Sequence, residues 1–296
     1  MKREDVHEAV DGTHLYYSVE GEGPLDIVLC DGIGCNGFIW RYLRPMLVKN
    51  ARVIHMHMRG HGSSDQPADM EMVGIRHIAD DWDGLLAKLN CEKAVVLGHS
   101  MGVQVALELW NRHPHRVGGL ALICGSYQNP IETFHDNDRL SKLLPLIRGA
   151  TRLGGRAIAQ IWKKAVSLPV AYNVAIATEL HPDQIRRADF EPYLDHLASM
   201  NPKTFLAMLT EAGAHSAADY LPRIDVPALV VAGDGDKFTP PRLSEEMAAL
   251  IPGADCLMVE AATHTAPIEQ PTLINLHIRR FVAQCAQELG IAVPAG

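Results

Sequence analysis

Gly98-His99-Ser100-Met101-Gly102 is the stretch of this chain whose residue types and spacing point most directly to chemistry. An apolar run, Ala94-Val95-Val96-Leu97, precedes it, and Val103, Ala106, Leu107 and Trp110 follow at helical spacing. Strand, sharp turn and helix form the setting in which a Gly-x-Ser-x-Gly serine is presented as a nucleophile. A turn that tight holds its central residue in a strained conformation, and a Cβ at either glycine would collide with the neighbouring strand or helix. Ser100 is then exposed at the head of a helix. The N-terminal amides of that helix can stabilise an oxyanion, with the Met101 N–H as first donor.

Serine alone is a poor nucleophile; it needs a base within hydrogen-bond reach and an acid that fixes the tautomer of that base. The strand-like Ala228-Leu229-Val230-Val231-Ala232-Gly233 runs into Asp234-Gly235-Asp236-Lys237-Phe238-Thr239-Pro240, a loop of the kind that carries ligands in open parallel sheets. Asp236 is the expected acid, and Asp234 is its local competitor. After the next strand, Asp255 to Glu260, comes Ala261-Ala262-Thr263-His264-Thr265, and His264 at that strand's exit is the expected base. The order Ser, Asp, His differs from the orders of the two best-known serine protease types.

These residues need a scaffold, and the rest of the chain reads as one. Leu25 to Cys30, Arg52 to Met58 and Val117 to Cys124 are apolar, strand-like runs, and helical segments lie around Trp40 to Leu47 and over Met72 to Leu89. Apolar strands alternating with helices indicate a mostly parallel α/β sheet covered on both faces. The early Thr13 to Val19 strand is expected to be an antiparallel edge. Between Ser126 and Tyr220 no strand-like run appears. Apolar clusters there keep helical intervals, at Leu140, Leu143, Leu144 and Ile147, then Ile158, Ile161, Trp162 and Val166, and again from Phe190 to Met200 and Phe205 to Leu209, with prolines between the runs. The expected organisation is a core of residues 1–125 and 221–296 with a helical cap, or lid, inserted over 126–220. The final helix is expected over Pro271 to Glu288.

The chain resembles the α/β-hydrolase fold superfamily, serine esterase- and lipase-like with a helical lid, along nearly its whole length. Gly98 to Gly102 matches the nucleophile elbow of that family. Arg59-Gly60-His61-Gly62-Ser63-Ser64-Asp65 matches its loop after the fourth strand, and Gly233 to Asp236 and His264 to Pro271 match its acid and base regions. The resemblance implies an oxyanion hole made by the Ile33 and Met101 amides. The sequence departs from the family at Asp31, where members usually carry His; a carboxylate there would oppose an oxyanion unless turned away and hydrogen-bonded. The implied chemistry is acyl transfer to water through an acyl-enzyme, needing no metal and no organic cofactor. Its substrate is a small-molecule ester of small to medium, lipophilic character, as for a carboxylesterase. Lactonase, carbon–carbon hydrolase and acyltransferase activities use the same triad. The serine argues against epoxide hydrolases and haloalkane dehalogenases, which place Asp there, and Thr265 after His264 lowers the carbon–carbon option.

Rival readings use other residues. Gly32-x-Gly34-x-x-Gly37 after a strand spells a dinucleotide fingerprint, with Arg59 placed to suit a 2′-phosphate. His55-x-His57 with His61 has some look of a metal cluster, although packed neutral histidines suit the apolar setting better. A noncatalytic receptor or scaffold on a hydrolase fold is the third alternative, but such proteins commonly lose a triad residue.

Composition narrows the class. The 296 residues are 47% apolar and 21% charged, ordinary for a globular chain, and a net charge of −8 without a basic block argues against nucleic acid. No run of about 18 apolar residues occurs, so no membrane span is expected. No secretory signal is read at the start, and the six scattered cysteines read as reduced, mostly buried thiols of a cytoplasmic protein. Phe38, Trp40, Phe134, Trp162 and Tyr193 are candidates for an apolar substrate pocket, with His99 beside Ser100 as a lining residue.

Overall fold

The computed structural model describes residues 2–129, 158–168, 172–173 and 180–292. Eight strands form one sheet: β1 (Lys2–Glu8), β2 (His14–Glu20), β3 (Asp26–Cys30), β4 (Arg52–Met56), β5 (Ala94–His99), β6 (Val117–Ile123), β7 (Ala228–Gly233) and β8 (Asp255–Val259). Their spatial order is β1-β2-β4-β3-β5-β6-β7-β8. β1 pairs antiparallel with β2 and β2 with β4; all other pairs are parallel. The Tyr16-Tyr17 strand is therefore antiparallel, as its sequence suggests, but it is not the edge. That place belongs to β1, whose Lys-Arg-Glu-Asp sequence is mostly exposed and hides its seven-residue pairing with β2.

Side-chain alternation along the parallel strands divides the core in two. Val28, Val96, Leu120 and Val230 face helices α1 (Ile75–Lys88) and α2 (Met101–Arg112), where Ile78, Trp82, Val103 and Leu107 are fully buried. Ile27, Leu29, Val95, Leu97 and Val231 face the other way, against Ile278, Phe281 and Cys285 of the last helix. β3, β5, β6 and β7 are thus apolar on both faces because both faces are covered.

The sequence placed the first long helix from Met72. The chain instead makes a 3₁₀ turn over Met70–Val73, and α1 starts after Gly74, which is extended at ψ 155°. A Cβ at Gly74 would lie 2.9 Å from the Glu211 carboxylate, so the break accommodates a neighbouring segment. Similarly, Phe38–Trp40 and Arg44–Leu47 are short turns in place of one helix.

Among the described residues between β6 and β7, residues 158–166, α3 (Arg187–Ser199) and α4 (Pro202–Ala214) are helical. The expectation that prolines fall between the periodic runs fails at Pro192, which sits inside α3. Its missing N–H leaves the Ala188 carbonyl without its helical donor. Arg41 Nη1 donates to that carbonyl at 3.1 Å. The Leu140 cluster and Phe134 lie outside the described residues. Among the described residues, α5 (Pro241–Leu250) follows β7, and β8 leads through a short helical turn, Ala266–Glu269, into α6 (Pro271–Glu288). No helix among the described residues is long and apolar enough to cross a membrane. The six cysteines are free thiols, five buried and Cys256 exposed.

Candidate active site

The parallel strands end in register: Cys30 pairs with Gly98, His99 with Ile123 and Gly233 with Val259. Their C-terminal loops consequently stand side by side, where open parallel sheets bind ligands. Between β5 and α2 the backbone turns at Ser100, with φ 56° and ψ −122°, a conformation costly for a residue with a side chain. The flanking glycines leave no room for anything larger. A Cβ on Gly98 would lie 2.3 Å from the Gly102 carbonyl oxygen, and one on Gly102 would lie 2.1 Å from that of Cys30.

His264 joins the other two residues. Ser100 Oγ lies 2.9 Å from His264 Nε2, and His264 Nδ1 lies 2.9 Å from Asp236 Oδ2. Asp236 is buried, and its carboxylate also accepts the Thr239 hydroxyl at 2.8 Å and the amides of Phe238 and Thr239 at 2.8 and 2.9 Å. A carboxylate so bound has one orientation, and it fixes the His264 tautomer with Nδ1 protonated and Nε2 toward Ser100. Asp234, the competing acid, is exposed.

Met101 is the first residue of α2, so its N–H has no partner within the helix. Ile33 lies in the loop after β3 and shares a cavity with Ser100 and Met101. That loop approaches the serine closely: a Cβ on Gly32 would lie 2.9 Å from Ser100 Cβ. Asp31 is fully committed. Oδ1 accepts the Trp40 indole N–H at 2.7 Å and Oδ2 faces His55 Nε2 at 2.7 Å. Burial works against the Asp31 charge, but the facing His55 outweighs it and holds the carboxyl below its ordinary range.

Two imidazoles fix the peptides on either side of Gly34. The Gly34 N–H donates to His61 Nε2 at 3.0 Å, and the Gly34 carbonyl accepts His196 Nδ1–H at 2.7 Å. His61 in turn donates from Nδ1 to the Arg59 carbonyl, and His196 Nε2 accepts the Gly62 N–H at 2.7 Å. Both rings need a lone pair, and burial supplies that condition by lowering both pKa values, His61 to about 4.

A pocket opens beside Ser100 and His264. Phe38, Phe190, Tyr193 and Phe238 give it an aromatic wall, and Leu180 and His99 also line it. His99 donates Nε2–H to the His264 carbonyl at 2.9 Å; burial and the nearby His264 push its pKa down to about 3, so the ring is neutral. Two other expected lining residues are placed elsewhere. Trp40 is completely buried in the core on the Asp31 carboxylate, and Trp162 donates its indole N–H to the Leu197 carbonyl and packs on Phe205 at 5.2 Å. An aromatic side chain at helical or turn spacing looks the same in sequence whether it faces core or cavity.

The rival motifs are accounted for by packing. Arg59 is fully buried and makes two 2.6 Å bonds to Asp81 and one of 2.5 Å to Asp11, which occupy the guanidinium that would have to bind a 2′-phosphate. Gly37 has φ 98°, and a Cβ there would lie 2.8 Å from His55. His57 accepts the Ser63 N–H at 3.0 Å through Nδ1. Thr239, Glu269 and His196 were not singled out by sequence; the first two carry no signal beyond lying in the loops of Asp236 and His264.

The chain belongs to the alpha/beta hydrolase fold family, whose model matches residues 27–271. A pimeloyl-[acyl-carrier protein] methyl ester esterase of Neisseria meningitidis serogroup B is 27% identical over 259 residues, covering 86% of this chain and 92% of the relative. An uncharacterized hydrolase of Bacillus subtilis, YugF, is 23% identical over 278 residues, covering 92% and 96%. Among solved structures, the enol-lactonase from Burkholderia xenovorans LB400 superposes with a TM-score of 0.78 at 22% identity, covering 94% of this chain and all of that one. A thermophilic esterase from Thermogutta terrifontis superposes at 0.73 with 25% identity, covering 96% and 99%.

Proposed function

We propose that this chain is a serine hydrolase that cleaves carboxylic esters of small to medium, lipophilic substrates through an acyl-enzyme, as a carboxylesterase does. The observation that carries the reading is His264, bonded at 2.9 Å to Ser100 on one side and to Asp236 on the other. In this mechanism His264 takes the Ser100 proton as Oγ attacks the ester carbonyl, and the Ile33 and Met101 amides hold the oxyanion. His264 then gives its proton to the leaving alcohol, and water repeats the sequence on the acyl-enzyme. Asp236 keeps the ring in the right tautomer and stabilises the imidazolium. Metal and organic cofactors have no part in these steps.

The aromatic pocket supports a lipophilic substrate, since apolar walls with few polar groups favour such ligands. Residues 126–220 act in this reading as a cap over a core of 1–125 and 221–296, with α3 supplying Phe190 and Tyr193 to the pocket. The methyl ester esterase named among the relatives fits the same reaction class.

The test is intact mass after incubation with a fluorophosphonate probe, for the wild type and Ser100→Ala, with peptide mapping. A single adduct on Ser100, absent from the variant, and ester turnover that falls with it are the expected results. A folded wild type that takes no adduct overturns the reading.

A further inference from the structure

Phe238 lies in the Asp236 loop, two residues after the carboxylate. Asp236 Oδ1 accepts the Phe238 amide at 2.8 Å, and Oδ2 faces His264 Nδ1 at 2.9 Å. One carboxylate therefore fixes both the backbone that presents the phenyl ring and the imidazole that meets it. The two ring centroids are 4.7 Å apart and the ring planes are inclined by 32°. Rings that close and that nearly parallel cannot lie side by side, so the imidazole sits over the face of the phenyl ring. Phe238 is half-buried and the His264 side chain is 13% exposed, which withdraws most of the contact from water.

We propose that Phe238 is a positioning residue for the base: its ring face holds His264 in place and favours the imidazolium that forms when Ser100 gives up its proton. The inference rests on the serine hydrolase reading. His264 is neutral before it takes the proton of Ser100 Oγ and a cation afterwards. The face of a phenyl ring carries partial negative charge and attracts a cation more than a neutral ring. The contact is thus stronger in the transition state than in the ground state, which is the condition for lowering the barrier. The other groups around His264 act differently. Asp236 supports the same charge from Nδ1, in the plane of the ring, and Glu269 bonds Thr263 and Thr265 on either side. His99, with its ring centroid 5.1 Å away, is kept neutral by burial and adds no opposing charge.

The experiment is the pH dependence of kcat/KM for para-nitrophenyl butyrate, whose acid limb reports the base of the free enzyme and not the fit of the substrate. Phe238→Leu keeps an apolar side chain and removes the π face. A less stable imidazolium forms only at lower pH, so the acid limb is expected to move down by about 0.5–1 unit and the plateau to fall about three- to tenfold. Phe238→Tyr keeps the face and should keep both. Greater access of water to His264 would instead stabilise the charged ring and move the limb up. Loss of a pocket wall alone would change KM and leave the limb in place. Either of these results overturns the proposal. Pentafluorophenylalanine introduced at position 238 keeps the ring and its shape but reverses the charge on its face, so it carries the test if the leucine variant does not fold; its limb must also move down. Fluorophosphonate labelling of Ser100 is read in parallel. If Ser100 is labelled and the limb does not move down, the role of Phe238 alone fails; without label and without turnover, the hydrolase reading fails and this role with it.

Discussion

Glu269 accepts both the amide and the hydroxyl of Thr263, at 2.6 Å each. The same carboxylate takes the Thr265 hydroxyl at 3.0 Å, so it brackets His264 on both sides, and it also receives the His181 amide at 2.9 Å. Glu269→Gln presents one acceptor oxygen where the network uses two. We expect kcat to fall about tenfold with KM little changed, and stability to drop by about 1–3 kcal/mol. Steady-state kinetics and urea unfolding measure both, and an unchanged kcat would show that Glu269 is structural only.

Ser100 holds a backbone conformation that glycine adopts readily and a residue with a side chain adopts only with strain. Ser100→Gly should gain about 1 kcal/mol through release of that strain, while Ser100→Ala should not. Both should lose about 10⁴-fold or more in kcat. Thermal unfolding of the two variants side by side decides the point; equal midpoints would count against strain at the elbow.

Burial holds His57 and His99 down to about 3 and His61 to about 4. Unfolded histidine titrates near 6.5, so below that pH the unfolded chain binds protons that the folded chain refuses. Stability is therefore full above about pH 6.5 and is lost as pH falls toward 4, by up to about 3 kcal/mol per ring. Asp81, pushed up to about 6 by burial against the pull of Arg59, opposes part of this loss as one group against three. Urea midpoints between pH 7.5 and 4.5 should decline on acidification; a flat profile contradicts the neutral rings.

Arg59 is paired with Asp81 and Asp11 in a fully buried position. Removing it as Arg59→Leu leaves two carboxylates uncompensated and should cost about 3–5 kcal/mol. Arg59→Lys keeps a charge but not the paired geometry and should fall between. Chemical denaturation of both variants gives the order, and a lysine variant as unstable as the leucine one would refute it.

His196 connects α3 to the Gly34 carbonyl and the Gly62 amide. His196→Phe retains the ring and loses both bonds. If this clamp sets the loop carrying Ile33, kcat should fall about tenfold while fluorophosphonate still reaches Ser100. Loss of labelling together with loss of turnover would indicate a wider disruption of the site.

Much of this was legible because its physics is local. Glycines at 98 and 102 announce a tight elbow, and apolar runs on both sides of it announce covered strands. β1 was not legible, since an exposed edge strand built from charged residues has no hydrophobic period. Pro192 inside α3 is not legible for a related reason: a side chain distant in the chain, Arg41, meets the carbonyl that proline leaves unpaired. The sequence does not separate Trp40 and Trp162 from pocket residues, because volume and spacing do not reveal which way an indole faces.

The sequence by itself determined the class of fold and the three residues at Ser100, Asp236 and His264, because strand ends and turn residues are written in neighbouring positions. Only the tertiary structure decided where distant polar groups meet. Asp31 finds Trp40 and His55, Glu269 brackets His264, and Gln104 reaches the Ala212 carbonyl. The reason is that a hydrogen bond between residues far apart in the chain depends on angles and distances of a few tenths of an ångström, which packing sets and residue order does not.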